Sequence, residues 1–424
     1  MRHVRAKHLP AFTLIEMLVA LALVLFIMAI LSYAFQAGFS TFHKLKATGD
    51  LAAKLRSATT IMRHDLAANH FEASKRLSDV DFWKNGPPEA GFFRLWQGSR
   101  AGSGANTYEG SDLSGIPSFR SVDHMLHFTV SRSGNQRHDY LSAWVPPDSP
   151  LLPPNSVDLG PWEARYQDCP NTFNSPWAEV AYFLRQTPDN ANGTPLYSLF
   201  RRQWLAVSNN AHISPPVSIR QAFDAPNPPR NSLYLEMSAR PDAAHENAFL
   251  YFNNPNDLSM PIHRSGMNPV NLAGLPLPVD PVAHRPSYPL MAEDAPTLNQ
   301  PRFRSADLLL TDVVSFDVRV LLDGNRDFVD LFDPAVQAYS SDNPAFPRNG
   351  SGPQVFDTWS SRNDGVYDYS VWSPTSDTAT RTTIPLYFDI GTGRFLRILA
   401  IQITLRIWDI KTQQTRQTTF VQAL

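Results

Sequence analysis

The 424-residue chain is long enough for two or three ordinary domains, or for one domain with long insertions. Its 37 basic and 39 acidic side chains leave a formal net charge of -2, which argues against a dedicated nucleic-acid-binding protein, because such proteins carry a basic face or tail. A single cysteine, Cys169, excludes a disulfide within the chain, and 36 prolines indicate long irregular loops.

The N-terminal segment joins a short basic leader, residues 1–11, to a long apolar run, residues 12–35. The leader holds no acid and three cations, Arg2, Arg5 and Lys7. By the positive-inside tendency these cations keep the N-terminus in the cytoplasm and predict export of the chain beyond the run. The run is long enough to cross a bilayer, because ~20 apolar residues rising ~1.5 Å each match a hydrocarbon core of ~30 Å. Its one acid, Glu16, is costly at that depth and therefore indicates a partner or a function.

Three interpretations of the apolar run compete. A secretory signal peptide would use Ser32-Tyr33-Ala34 as its cleavage site, but it accounts neither for Glu16 nor for the length of the run. A plain membrane anchor accounts for the length and leaves Glu16 unexplained. The third interpretation depends on the residues with which the run begins.

Residues 12–21 read Phe-Thr-Leu-Ile-Glu-Met-Leu-Val-Ala-Leu, which resembles the N-terminus of type IV pilins and type II secretion pseudopilins. The resemblance implies that a prepilin peptidase cuts between Ala11 and Phe12 and methylates the new amino group of Phe12. It also implies that Glu16, fifth in the processed chain, pairs with the Phe12 amine of an adjacent subunit. The chain departs from the family at Ala11, because the residue before the cut is normally glycine.

A subunit that is stored in a membrane and later packed into a fibre needs one helix surface that suits both surroundings. An apolar helix provides that surface. A carboxylate near its start attracts a neighbouring ammonium group strongly, because both charges then lie in a medium of low dielectric constant. We therefore expect Glu16 and Phe12 to form a contact between subunits.

Apolar residues continue at steps of three and four beyond the run, which predicts an amphipathic helix over residues 36–71. These residues are Phe39, Phe42, Leu45, Leu51, Leu55, Ala58, Met62 and Leu66. Gly38 and Gly49 weaken the helix locally and indicate bends or partial melting there. We expect a sheet to cover the apolar face of this second half of the helix.

After residue 71 the period changes from helical to alternating, which predicts an exported β-rich domain over residues 72–424. The predicted strands are 125–130, 179–184, 196–203, 313–322, 401–407 and 418–421. Turn residues at 189–193 and 411–414 predict two hairpins.

Alternation within the strand 313–322 predicts that Val314, Phe316, Val318 and Val320 share one face. Two stretches rich in Pro, Asn, Ser and Asp, residues 206–301 and 333–381, show no such pattern. We expect them to be long surface insertions on one β-rich domain, with short elements of their own.

The order of these segments is similar to that of J-type pseudopilins and their minor-pilin counterparts: a helix with Arg63-His64-Asp65-Leu66, a hairpin, a strand and a terminal hairpin. The insertions and the Leu-Arg-Ile-Trp-Asp at 405–409 resemble, more narrowly, the prepilin-like family called Verru_Chthon cassette protein C. The implied fold class is α+β: a long pilin-type helix, membrane-spanning in its first half and packed on an antiparallel sheet in its second.

One segment resembles the start of a calcium-binding loop. Asp323, Asn325 and Asp327 space oxygen ligands along the chain, although the glycine and the distal glutamate of an EF-hand are missing. An Asp-Gly-Asn hairpin turn after the preceding strand explains the same residues without a metal. We therefore expect no cofactor, with calcium as the alternative, and no motif for catalysis is present.

The sequence as a whole predicts a non-catalytic minor pilin or pseudopilin near the tip of a filament. Its expected partners are a prepilin peptidase, other pilin-like subunits and the lipid of a bacterial inner membrane, with no nucleic acid. The expected topology is a single span with a cytoplasmic N-terminus and a periplasmic domain. The alternative is a membrane-tethered extracytoplasmic binding module that uses a prepilin-type export signal.

Overall fold

The protein is α+β in this computed structural model, with one long apolar N-terminal helix and a large antiparallel sheet, which confirms the predicted class. The structure describes residues 13–83, 88–99, 124–134, 136–144, 172–191, 193–207, 217–218, 236–241, 249–260, 263–265, 306–331, 333, 353–358, 388–389, 394–410 and 412–424. They fall into two compact units, the first comprising 13–53 with 409–414 and the second 54–408 with 415–424. The leader, Ala11, Phe12 and Cys169 lie outside the described residues.

Helix α1, Leu14–Leu66, runs for 53 residues without a break. It continues through Gly38 and Gly49, so neither glycine interrupts the helix. The helix ends five residues before the predicted boundary at residue 71. The reason is that the next residues pair with the sheet: the Asn69 carbonyl accepts a hydrogen bond from the Ser131 amide at 2.7 Å.

Fifteen strands are described. They are β1 Phe93–Ser99, β2 Met125–Ser131, β3 Leu141–Trp144, β4 Thr172–Ser175, β5 Trp177–Ala191, β6 Thr194–Leu205, β7 Val217–Ser218, β8 Ala239–Pro241, β9 Phe249–Phe252, β10 Ala306–Leu322, β11 Pro353–Asp357, β12 Phe388–Asp389, β13 Arg394–Phe395, β14 Ile398–Asp409 and β15 Gln414–Ala423. Eight of them form the main sheet in the order β11-β1-β2-β5-β6-β10-β14-β15. The pairs β3-β4 and β12-β13 and the trio β7-β9-β8 form small sheets.

Both predicted hairpins are present. Strands β5 and β6 pair up to Ala191 and Thr194, closer to the turn than the alternating pattern indicated. Gly193 has φ +88°, the left-handed conformation that a two-residue turn requires and glycine adopts without strain. The second hairpin joins β14 to β15, and β15 is the last strand of the main sheet.

The second half of α1 covers one face of the main sheet, as expected from its apolar stripe. Leu55, Ala58, Met62 and Leu66 are all buried. The guanidinium of Arg63 lies 4.9 Å from the ring centroid of Phe420 on β15. The sheet side chains buried on this face include Phe128, Val180, Phe316, Val318, Ile401, Ile403 and Leu405.

The prediction that Val314 shares the face of Phe316 is wrong. The register with β14 shifts between Val313 and Ser315, so that Val313 pairs with Ile407 and Phe316 with Leu405. A β-bulge of this kind puts two residues opposite one and reverses the alternation at the extra residue. Val313 therefore faces α1, whereas Val314 packs in a separate small cluster.

The opposite face of the main sheet has its own core, which contains Trp96, Met125, Ala181, Phe183, Phe200 and Trp204. The two unpatterned stretches contain short elements where they are described, as expected, and they also contribute buried residues, so a surface position does not hold for those residues. Residues 353–357 form β11, an edge strand whose Phe356 pairs with Leu95 of β1. Met237, Leu258 and Arg264 of the first stretch are buried.

Candidate functional site

The start of α1 is closed by a reciprocal capping arrangement between Thr13 and Glu16. The Glu16 amide donates to Thr13 Oγ1 at 3.3 Å, while the amide and the hydroxyl of Thr13 both donate to Glu16 Oε2 at 2.9 Å. A Thr-x-x-Glu capping box satisfies amides that the first turn of a helix leaves without partners. The sequence signature was visible in Thr13-Leu14-Ile15-Glu16, yet the sequence reasoning assigned Glu16 only to a partner subunit.

Glu16 retains an oxygen that the cap does not use. No described residue donates a hydrogen bond to Oε1, and a carboxylate accepts several bonds through its two oxygens. The carboxylate is exposed at the helix end. It can therefore cap its own helix and accept a bond from a second group at the same time. The position of Phe12, the proposed partner residue, lies outside the described residues.

The first part of α1 presents apolar side chains on every side. Over this part of the helix, large side chains such as Leu14, Phe26 and Phe35 are 66% to 83% exposed. The helix is long and apolar enough to cross a membrane, and none of its most apolar 18-residue window is buried. Exposure on all sides distinguishes this segment from a helix that is buried in a soluble core.

The second part of α1 is fixed to the sheet by a buried carboxylate. Asp65 is 2% exposed, and its Oδ2 accepts hydrogen bonds from the Tyr182 hydroxyl and from Arg201 Nε, both at 2.6 Å. Arg201 also reaches Gln203 and Asp307, at 2.8 and 3.3 Å. Burial, together with the Asp65 charge, raises the pKa of Tyr182 well above its ordinary value, so the phenol stays a hydrogen-bond donor.

A second buried polar group lies on the opposite face of the sheet, centred on Glu179 of β5. Its carboxylate accepts bonds from His127 Nε2 at 3.0 Å, from the Ser265 amide at 3.0 Å and from the hydroxyl of Ser238. Burial lowers the pKa of His127 although the contact with Glu179 opposes this shift. Sequence reasoning missed the cluster, because its members lie 52 to 86 positions from Glu179 along the chain.

The Glu179 cluster does not have the geometry of a catalytic triad. The Ser238 hydroxyl donates to Glu179 and accepts a bond from Asn253 Nδ2 at 2.8 Å, whereas a serine nucleophile needs a hydrogen bond to its histidine base. His127, Glu179 and Ser238 are also 0% exposed. We interpret the cluster as a structural connection between the sheet and the described parts of residues 206–301.

The three calcium candidates lie in and beside a tight turn. Asp323 Oδ2 is bonded to Arg397 Nη1 at 2.7 Å, and the Asn325 amide donates to the Leu322 carbonyl at 3.1 Å. Val320 and Val329 form an antiparallel β-bridge across this turn, and Gly324 lies within the turn at φ +85°. Within the described ranges no group of three or more His, Cys, Asp or Glu residues is placed to hold a metal ion. A calcium site at Asp323, Asn325 and Asp327 stays a prediction.

Comparison of the chain with family models, with curated proteins and with solved structures finds no match.

Proposed function

We propose that this chain is a pilin-like subunit, a minor pilin or pseudopilin, that assembles through its N-terminal helix and catalyses no reaction. The observation that carries the proposal is the start of α1: a capped Glu16 with a free carboxylate oxygen, followed by apolar side chains exposed on all sides. The resemblance of residues 12–21 to prepilin signals supports the same conclusion. An exposed apolar helix of this length needs lipid or other helices around it.

Assembly then proceeds in two stages. The leader stays in the cytoplasm while α1 crosses the inner membrane and the β-rich part is exported; a prepilin peptidase cuts before Phe12 and methylates its amine. In the second stage the helix leaves the bilayer and packs against the helices of other pilin-like subunits. Glu16 Oε1 accepts the Phe12 ammonium of the neighbour, an ion pair favoured by low dielectric surroundings.

The connection at Asp65 suits a subunit that is moved by its helix. A force on the helix is transmitted to the sheet through buried contacts, and an ion pair with two short hydrogen bonds resists separation better than apolar contacts alone. The size of the β-rich part favours a position at or near the tip, because its additional segments would crowd a repeating shaft. Isolation of a filament in which this chain is the main repeating subunit would contradict that position.

Mass spectrometry of the N-terminus of the native protein tests the proposal. A chain that begins with N-methylated Phe12 is the expected result. Retention of Met1 in a host with an active prepilin peptidase would favour the alternative, a membrane-tethered extracytoplasmic binding module. A chain that begins near Phe35 would indicate an ordinary signal peptide.

A pair of variants separates the two roles of Glu16. Glu16→Ala removes both the cap and the intersubunit carboxylate, whereas Thr13→Ala removes the cap hydroxyl and leaves the carboxylate in place, at a cost of about 1 kcal/mol to the helix. We expect Glu16→Ala to abolish incorporation into filaments and Thr13→Ala to preserve it. Equal loss in both variants would show that Glu16 acts through the cap and not through a neighbouring subunit.

A further inference from the structure

Two lysines follow the apolar part of α1. No Asp, Glu, Lys or Arg occurs between Glu16 and Lys44, and Lys46 lies two residues farther on. Both lysines are exposed, and neither forms an ion pair or a hydrogen bond with any residue that the structure describes. The lysine pair therefore marks the end of the uncharged part of the helix.

The distance between the charged positions matches a lipid bilayer. Lys44 follows Glu16 by 28 positions in an unbroken helix, which corresponds to about 42 Å at ~1.5 Å per residue. A bilayer is ~30 Å thick in its hydrocarbon core and ~40–45 Å with its headgroups. When Glu16 lies among the headgroups of one leaflet, Lys44 and Lys46 lie among those of the other.

Two of the polar side chains between these positions form hydrogen bonds within the helix itself. Ser40 Oγ and Thr41 Oγ1 both donate to the Ala37 carbonyl, at 2.8 and 2.9 Å. Hydroxyls that are satisfied within their own helix cost little in an apolar medium. Phe39 and Phe42 are each 63% exposed, so the exposed apolar surface continues almost to the lysines.

The two lysines surround the helix and do not form one face. At ~100° per residue, Lys46 is turned ~200° from Lys44 about the helix axis. A protein partner that docks on one side would contact one of them, whereas lipid headgroups contact both, since they surround a single helix in a membrane. Cations near an anionic membrane surface gain about 1 kcal/mol each, and their long side chains reach the phosphates from the apolar boundary.

We propose that Lys44 and Lys46 form a lipid-binding collar that holds the phosphates of anionic lipids in the leaflet farther from the leader. The inference depends on the proposed membrane storage of α1 and adds a lipid class and a leaflet to it. The collar fixes how deep the helix sits before assembly.

Native mass spectrometry of the full chain in detergent, titrated with phosphatidylglycerol or phosphatidylcholine, tests the collar. The variant Lys44→Gln/Lys46→Gln removes it, and Lys54→Gln/Arg56→Gln is the matched control, because it removes two exposed cations of the same helix that lie about 15 Å farther along. We expect the wild type to prefer phosphatidylglycerol. At about 1 kcal/mol per lysine the collar variant should lose that preference about 25-fold, and the control should keep it.

Three results would overturn the collar. The first is equal phosphatidylglycerol binding by the wild type and the collar variant. The second is displacement of the lipid by an equal concentration of soluble glycerol phosphate, which would indicate a simple anion site. The third comes from flotation of the full chain with phosphatidylcholine vesicles. A wild-type chain that does not float with the vesicles refutes the membrane storage of α1, and the collar with it. If the wild type floats but the collar variant binds phosphatidylglycerol as well as the wild type does, only the collar is refuted.

Discussion

Asp65→Asn tests whether the ion pair at the second half of α1 holds the helix on the sheet. The substitution keeps the size of the side chain and removes the charge that accepts bonds from Tyr182 and Arg201 at 2.6 Å. Removing one partner of a buried ion pair costs about 3–5 kcal/mol, because the remaining charge stays buried. Arg201 retains its contact with Asp307, which is 71% exposed, so we expect the lower end of that range.

Tyr182→Phe provides a second, smaller perturbation of the same carboxylate. It removes one hydrogen bond to a charged group, worth about 1.5–3 kcal/mol, and leaves the Asp65–Arg201 pair intact. Because both substitutions act on the same oxygen, the double variant should lose at least about 1 kcal/mol less than the sum of the single variants.

Urea titration of the full chain in detergent micelles, followed by tryptophan fluorescence, measures these free energies of unfolding. Buried Trp83, Trp96 and Trp204 report on the β-rich unit. Asp50→Asn is the matched control on the exposed part of the helix and should change the stability by less than about 0.5 kcal/mol. A loss below about 1 kcal/mol for Asp65→Asn would show that the ion pair does not hold the helix on the sheet, and additive losses in the single variants would show that Tyr182 and Arg201 act independently.

Three further predictions concern ionisable groups. Burial raises the pKa of Glu236 to about 7, so the folded state holds this proton to higher pH than the unfolded state, and the stability of the wild type falls between pH ~4.5 and ~7. In urea titrations the free energy of unfolding of Glu236→Gln, relative to that of the wild type, should therefore rise by about 3 kcal/mol from pH 4.5 to pH 8. An equal difference at both pH values would contradict this. Burial lowers the pKa of His127, so the unfolded state binds a proton before the folded state does as the pH falls below ~6.5. The free energy of unfolding of His127→Gln should therefore fall less steeply from pH 7 to pH 5 than that of the wild type. An unchanged slope would exclude His127 as a contributor to this pH dependence. Because Arg397 already pairs with Asp323, calcium should not raise the melting temperature of the full chain. A rise in the melting temperature that Asp323→Ala abolishes would establish the calcium site instead.

Local periodicity was sufficient to predict the elements that obey it throughout. The stripe of Leu55, Ala58, Met62 and Leu66 faces the sheet as expected. Residues spaced by three and four positions lie on one side of a regular helix, because the helix has 3.6 residues per turn. The strand 313–322 obeys its two-residue period only after the bulge. Nothing in the sequence near Val314 marks that bulge, since it arises from the register with β14, almost a hundred residues away.

The buried polar residues could not be predicted for a related reason. Arg264 is fully buried because its guanidinium meets Asp357 at 2.7 Å, 93 positions along the chain, and lies 3.8 Å from the centroid of the Phe92 ring. An isolated arginine in a stretch rich in proline indicates a surface loop until its partner is known. The capping box at Thr13 and Glu16 is different, because both residues lie within four positions and the signature can be read directly.

The position of β11 has a consequence for folding. This strand follows β10 in the chain but pairs with β1 at the far edge of the sheet, while β14 and β15 complete the opposite edge. The Trp83 indole donates to the carbonyl of Leu396, across 313 positions of sequence. Contacts between such distant residues slow folding, because long loops must close before the contacts stabilise anything. The cover of the stripe on α1 therefore stays incomplete until the last strands have arrived, and any export of this unit has to be complete before its core can close.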